Sequence, residues 1–442
     1  MDVEDFTRRG LRAGTDRRVI EEALADRVQE FKPVDRTYAA AFARAVVDEA
    51  LLTSGLEGDL FETTSSGVSM GEFGVGSRGT GDFFAHSQIA RIIGTTSASV
   101  GVDQMDDAGA IQVGDDYVCC TVDGMHSRLS DFPFLAGFHA TRATLRDVLV
   151  MGARPILLFS DIHVADDGDV AKIFDYTAGI TTVGEELGVP LISGSTLRIG
   201  GDMVLGSRMT GCVGTVGIAR HLTARRELAP GDVLLMTEGA GGGTIATAAL
   251  YSGHPEVVER TINLQFLYAC QALIESPVLE TVHAMTDVTN GGLRGDAHEM
   301  ARTANCRIVV DEKAIAPLVD PVVKRMLDIL GIDPLGVSLD ALLIAAPREA
   351  VEAIAGVVRG AGVRCEEIGR VESGPAEAVL VVDGREEDFT PRFREAAYTP
   401  LKKVVETQKG DVAAMTARVE AAAAAAIEKK RRVRARLSTR RP

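Results

Sequence analysis

The chain has 442 residues, 46% hydrophobic and 25% charged, with 5% aromatics and no Trp, so its cores are aliphatic and two principal domains are expected. Its longest apolar runs, such as 233–236 and 341–346, fall far short of the roughly 20 residues that span a bilayer, and residues 1–30 are charged throughout, which predicts neither a membrane span nor a signal peptide. A net charge of −16, more negative still without the eight Lys and Arg of 429–442, excludes nucleic-acid binding by general electrostatics, and six cysteines with no CxxC or Cys/His spacing predict a reducing, cytoplasmic setting without structural zinc.

Residues 1–57 are expected to be helical, with apolar positions at helical spacing in 19–31 and 38–52 and Lys32-Pro33 between them. Residues 58–82 then place Gly58, Gly67, Gly71, Gly74, Gly76, Gly79 and Gly81 among Ser and Thr, which predicts a loop. It contains a literal GxGxxG at Gly74-Val75-Gly76-Ser77-Arg78-Gly79, but no strand precedes it, which argues against a dinucleotide fingerprint. The segment reads either as a plain linker or as backbone amides that fold, with Arg78, over phosphates. No GxxxxGKS/T sequence exists, which argues against a P-loop.

From 106 to 216, and again from 231 to 382, short β-branched runs alternate with helical stretches, predicting two α+β halves that join near residue 225 at the turn Pro230-Gly231-Asp232. In the first half, Gly114-Asp115 suits a two-residue II′ turn between 106–113 and 116–123. That register sets Asp106 opposite Asp123 with Asp107 alongside, and opposed like charges need either open solvent or a hard cation such as magnesium. Asp147 falls in the last turns of an apolar helix ended by Gly152 and Pro155, where the helix dipole disfavours an acid. It is either a surface residue or one held by a cation or hydrogen bond.

The second half opens with an apolar strand and Gly239-Ala240-Gly241-Gly242-Gly243-Thr244, where tight strand-to-helix packing is favoured over an anion site. In Met285-Thr286-Asp287-Val288-Thr289-Asn290-Gly291-Gly292-Leu293, the residues Asp287, Thr289 and Asn290 either cap the next helix or line a site. Residues 411–436 predict a terminal helix running into a frayed, solvated basic tail.

Five of these pieces, in this linear order over roughly 64–385, resemble the PurM/HypE superfamily of AIR synthase-related proteins. They are Asp106-Asp107-Ala108 with Asp123, Arg146-Asp147 ahead of Met151-Gly152-Ala153-Arg154-Pro155, Pro230-Gly231-Asp232, Asp287-Val288-Thr289-Asn290-Gly291-Gly292-Leu293, and Asp333-Pro334-Leu335. The resemblance implies a two-domain α+β fold. A helical extension (1–57) would precede an N-terminal domain (58–225, Gly-rich loop 64–82) that pairs with a second copy into a β-barrel. A C-terminal α/β sandwich domain (226–390) and a helix with a basic tail (391–442) would follow.

It further implies ATP and Mg²⁺ as cofactors, with Asp106, Asp107, Asp123 and Asp147 as metal ligands. Nucleotide would be held by Gly74, Gly76, Ser77, Arg78, Gly79, Gly81, Asp82, Asp123, Asp147, Ser195 and Thr196, and catalysis would involve Asp147, Asp287 and Arg78. The implied activity is phosphorylation or phosphate activation of a carbonyl- or amide-type oxygen of a small molecule by a homodimer. A kinase resembling thiamine-monophosphate kinase and a nucleotide-binding scaffold without catalysis are the alternatives. Three departures stand out: the last cysteine is Cys365 rather than a C-terminal one, none precedes Cys119, and the family's Gly-Asp-Thr reads Gly194-Ser195-Thr196, with Asp202 as a possible substitute acid.

Overall fold

In the computed structural model, which describes every residue except 78, 290, 396–397, 408–409 and 440–442, two β-sheets enclose a buried helix. Arg78, expected at the site, and Asn290, expected either to cap a helix or to line a site, therefore lie outside the described residues. The first sheet comprises β1 (Gly109–Val113), β2 (Asp116–Gly124), β3 (Arg154–Val164), β4 (Leu191–Arg198) and β5 (Met209–Ala219), in the order β1-β2-β5-β3-β4. The second comprises β6 (Val233–Thr237), β7 (Ala284–Val288), β8 (Arg307–Asp311), β9 (Ala341–Ala346), β10 (Cys365–Glu372), β11 (Glu377–Val382) and β12 (Arg385–Asp388), in the order β12-β11-β8-β10-β6-β9-β7. This is a mixed α+β, two-domain architecture.

Gly114 takes φ +64° in the β1–β2 turn, and the ladder runs from Gly109 opposite Cys120 to Val113 opposite Asp116, the register expected of that turn. The ladder stops at Gly109, however. Asp106 does not oppose Asp123, which pairs with Val213 of β5 instead. Met105 turns the chain with φ +51°, and the Asp106 carboxylate accepts the Arg225 backbone N–H at 2.9 Å, a better partner than a facing carboxylate.

Three helices, α1 (Val3–Arg12), α2 (Arg17–Phe31) and α3 (Arg36–Leu52), open the chain. Asp16 and Asp35 cap α2 and α3 by accepting the N–H groups of Arg18 and Tyr38. Leu24, Val28, Ala43 and Val46 close around Leu205, and the Val3 N–H donates to Met203 O at 2.9 Å, which docks the helices on the β4–β5 connection. The glycine-rich stretch is less irregular than expected. Ser69 and Glu72 form a capping box that starts the short α4 (Met70–Phe73), and α5 (Thr80–Ile93) begins inside the stretch.

The helix between the sheets is α6 (Pro133–Val150), and α7 (Ala171–Leu187) lies against it. Their approach is glycine-dependent: a Cβ on Gly137 would sit 2.1 Å from Tyr176 O, and one on Gly179 would sit 2.2 Å from Phe134 O. Leu145 and Leu149 of α6 share one buried cluster with Leu158 and Ile162 of β3 and with Leu235, Met285 and Ile344 of the second sheet. Each such side chain contributes about 1.5–3 kcal/mol by burial, so α6 is held from both sides.

At the far end the described part of the basic tail is not frayed. It forms the last part of a single helix, Val412–Ser438, which packs on α5. Arg432 pairs with Asp59 at 2.9 Å and Lys430 Nζ donates to Ile93 O at 3.0 Å, so chain folded back against the helix supplies acceptors that solvent would otherwise provide, and Arg91 of α5 donates to Glu420 of the helix at 3.1 Å. None of the described helices is long and apolar enough to cross a membrane.

Candidate functional site

Alternation along β2 turns Cys119, Thr121 and Asp123 toward α6 and leaves Val118, Cys120 and Val122 on the open face. Asp147, near the end of α6, meets the inner row: Thr121 Oγ1 donates to Asp147 Oδ2 at 3.3 Å. One residue earlier, Arg146 reaches the second sheet. Its Nε donates to Asp287 Oδ2 at the end of β7, its Nη1 donates to Asp340 Oδ1 at 2.7 Å, and its Nη2 lies 3.8 Å from Asp147 Oδ1. One turn back on α6, Arg142 pairs with the other oxygen of Asp340. The junction of the two halves is thus a buried, charged layer.

Asp106 and Asp107 sit in a second part of that layer, organised by Arg225. This arginine is 1% exposed. Its Nη2 donates to Asp107 Oδ1 at 2.6 Å and its Nη1 to Glu299 Oε2 at 3.1 Å, while Thr286 Oγ1 accepts from Nη2 at 2.7 Å and donates to Asp107 Oδ2 at 2.8 Å. Burial opposes the Arg225 charge, but Asp107, Glu299, Asp106 and Asp296 outweigh it, so the guanidinium titrates well above its usual range.

The acids feel the opposite pressure. Burial raises the Asp107 carboxyl to about 7 against the pull of Arg225, with Asp287 and Asp106 adding to the rise. Asp147 is pushed well above the ordinary carboxylate range, first by burial and next by Asp287, with Arg146 opposing and Asp123 and Asp107 adding. Asp340 moves the other way, because Arg142 and Arg146 together overcome its burial. Asp107, Asp123, Asp147 and Asp287 therefore form one electrostatic group, in which crowding and burial favour the protonated form of Asp147.

Of the two readings open for Asp287, capping of the next helix is not what the structure shows. The residue before Gly292–Ala304 is Gly291, which offers no side-chain cap, while Asp287 Oδ1 accepts from Thr289 Oγ1 at 3.2 Å and Oδ2 goes to Arg146. The glycines of 239–243 serve packing: a Cβ on Gly242 would meet Asp340 Oδ2 at 2.6 Å and one on Gly243 would meet His126 Cδ2 at 2.4 Å.

The other expected site residues lie elsewhere. Ser195 registers with Asp161 on the open face of the sheet, and Thr196, next to it, registers with Ile162. Strands β3 and β5 separate β4 from Asp123, about 14 Å at the usual spacing. Asp202 pairs with Arg198 on the surface and does not join the cluster. In the glycine-rich stretch, Gly74 (φ +74°) ends α4, and Ser77 Oγ donates to Gly74 O at 2.5 Å. Buried Asp82 accepts the Gly76 N–H at 3.1 Å, and Gly79 leads into α5. The Thr80 and Gly81 N–H groups donate to the carbonyls of Arg392 and Phe393 at 2.8 and 3.2 Å.

Two halves joined through an acidic hairpin end and a buried helix match known sequences over most of the chain. Residues 105–218 match the N-terminal domain, and residues 229–382 the C-terminal domain, of AIR synthase related proteins. The chain belongs to the AIR synthase-related family. An uncharacterized protein of Methanocaldococcus jannaschii is 48% identical to this family member over 97% of both chains. A selenide, water dikinase of Geobacter metallireducens is 32% identical over 54% of this chain and 67% of its own, and the carbamoyl dehydratase HypE of Rhodobacter capsulatus is 30% identical over 49% and 63%. Among solved structures, the hydrogenase maturation protein HypE in complex with ATP superposes with a TM-score of 0.55 at 20% identity, covering 69% of this chain and 92% of that one.

As an AIR synthase-related protein the chain invites a test for magnesium. Arg225 engages Asp106 and Asp107 and Arg146 engages Asp287 and Asp340, while Asp147 lies at the longer distance of 3.8 Å from Arg146 and feels the charge of Asp123. Among the described residues no three His, Cys, Asp or Glu side chains converge on one ion. Buried carboxylate oxygens fit magnesium of the kind that uses one or two carboxylates and takes its other ligands from water and phosphates. Sequence reasoning missed Arg142, Arg225, Asp340, Asp296 and Glu299. Arg225 and Glu299 carry no local pattern, and Asp340 has only its left-handed φ of +54° to mark it, a property invisible in sequence.

Proposed function

We propose that this protein is a magnesium- and ATP-dependent enzyme that phosphorylates or phosphate-activates a carbonyl- or amide-type oxygen of a small molecule. The observation that carries the reading is the group Asp107, Asp123, Asp147 and Asp287, buried or half-buried at the junction of the halves, where four carboxyls face the two guanidiniums of Arg146 and Arg225. A relative named selenide, water dikinase, and a fold shared with a HypE solved in complex with ATP, support it.

In this reading Asp123 and Asp147 would hold Mg²⁺, which supplies charge neutralisation at the transferred phosphoryl group. Asp106 and Asp107 would stand behind them, and Arg225 would fix their orientation. The segment carrying Gly74, Gly76, Ser77, Gly79, Gly81 and Asp82, with Arg78 outside the described residues, would gather the nucleotide by exchanging the bonds that the Gly76 and Gly81 amides make within the chain. Transfer needs in-line positioning and charge stabilisation more than a protein nucleophile. The substrate oxygen would bond to the γ-phosphorus as the bond to the departing ADP oxygen breaks, with Asp287 near the acceptor. No thiol is required. Burial raises the Cys119 and Cys365 thiols to about 12, which keeps them protonated.

A homodimer belongs to the same proposal. Ile111, Val122, Ile218 and Leu197 share the open face of the first sheet, 40–57% exposed, and β4, which carries Ser195 and Thr196, forms its edge. A second copy on this face would bury it and bring Ser195 and Thr196 to a shared cleft.

The test is ADP release from Mg-ATP with and without candidate small molecules. Substrate-dependent release supports the enzyme, whereas tight nucleotide binding with no ADP from any substrate supports the scaffold. Light scattering that shows a monomer at micromolar concentration, with and without Mg-ATP, would count against the dimer.

A further inference from the structure

A buried guanidinium where a cluster of acids would otherwise call for metal has its own consequence. Arg146 is 7% exposed at the side chain and lies among carboxylates from both halves: Asp287 at Nε, Asp340 at Nη1, Asp147 at 3.8 Å from Nη2. We infer that Arg146 is the fixed cation of the site and a positioning residue. By occupying Asp287 and Asp340 it confines divalent-ion binding to the ion that arrives with nucleotide phosphates.

Three observations carry this. Both carboxylates are already paired: Asp287 accepts from Arg146 and from Thr289 Oγ1, and Asp340 accepts from Arg142, Arg146 and Ser338 Oγ, the last at 3.1 Å. A carboxylate whose charge is met by a guanidinium within hydrogen-bond distance attracts a further cation less strongly. The arrangement is also pre-set by the fold, since Arg142 and Arg146 lie one helical turn apart on α6 and Asp340 holds a left-handed backbone between them. Finally, a guanidinium keeps its charge at every accessible pH. A bare divalent ion approaching Asp147 therefore meets a like charge from Arg146, and the negative charge of phosphate oxygens removes that obstacle.

This rests on the reading of the junction as a magnesium–phosphate site, and the experiment separates the two. Mn²⁺, a hard ion with the same octahedral oxygen preference, is titrated into the full-length protein by electron paramagnetic resonance, first alone and then with a non-hydrolysable ATP analogue. Wild type should bind Mn²⁺ alone only weakly and at least about tenfold more tightly with the analogue, while Arg146→Gln should bind Mn²⁺ alone at least about tenfold more tightly than wild type. Arg146→Lys, which keeps a charge and guards against a folding failure of the Gln variant, should bind Mn²⁺ alone as weakly as wild type. Submillimolar binding of Mn²⁺ to wild type without nucleotide, or equal binding to wild type and the Gln variant, would overturn the inference. Failure of every form to bind the analogue would overturn the ATP reading, while the nucleotide-free comparison would still decide the role of Arg146.

Discussion

Arg225 Nη2 and Asp107 Oδ1 lie 2.6 Å apart, and this contact ties the acidic end of the first hairpin to the segment that leads into the second sheet. The pair is nearly inaccessible to solvent, so removing one partner strands the other. Arg225→Met should lower the free energy of unfolding by about 3–5 kcal/mol, the usual effect of breaking a buried pair. Urea titration at neutral pH measures it. A loss below about 1 kcal/mol would mean that the contact behaves like an exposed salt bridge.

Asp147 offers the contrasting case. Because burial and its acidic neighbours favour the neutral carboxyl, Asn is a close match to the form present without metal. Asp147→Asn should therefore leave the urea midpoint unchanged or raise it. The same substitution should lower Mg-ATP turnover by about 100-fold or more, roughly 2.7 kcal/mol of barrier. Retained turnover would remove Asp147 from the site.

His139, 4% exposed on α6, should mark the acid limb of stability. Burial and then Arg142 depress its imidazole from 6.5 to about 3. The unfolded chain therefore takes up the proton first, so the contribution of neutral His139 is intact above pH 6.5 and is lost progressively as pH falls from 6.5 toward 3. Its limiting slope is about 1.4 kcal/mol per pH unit. Unfolding curves of wild type and His139→Leu at pH 7 and pH 4.5 should diverge by this dependence, with wild type losing more on acidification. Parallel losses would show that the imidazole is protonated in the fold.

The clasp of residues 392–393 on the start of α5 predicts a selective change in dynamics. A Cβ on Gly79 would lie 2.4 Å from Arg392 O and 2.6 Å from Phe393 O, and Phe393 packs edge-on against Phe73 at 5.5 Å between ring centres. Gly79→Ala and Phe393→Ala should each speed hydrogen exchange at the Thr80 and Gly81 amides, with little change in the β6–β9 core. Exchange that is unaltered at those amides in both variants would show that the clasp does not protect them.

The sequence by itself determined the elements whose signals are local. The Gly114-Asp115 turn set the β1–β2 register because a two-residue II′ turn admits only one. The alternation along 106–216 and 231–382 was enough for two mixed halves, and the order of five motifs was enough for the family. Hairpin register drew attention to Asp106, Asp107 and Asp123, a helix end to Asp147 and a polar turn to Asp287, but only the resemblance joined such acids in one site. Asp107, Asp123, Asp147 and Asp287 do share one electrostatic environment.

Tertiary structure decided what those acids face. Arg225 and Asp340 look like ordinary loop residues, and only packing of α6 between two sheets turns Arg146 onto Asp287 and Asp340 and closes Arg225 over Asp107. It also turned the described part of the basic tail into a docked helix, because Asp59, Arg91 and the α5 carbonyls are partners that no local window reveals. The physical reason is the same in each case. A turn or an apolar repeat acts through neighbouring residues, whereas a charge is governed by whichever opposite charge the fold brings within a few ångströms after water has been removed.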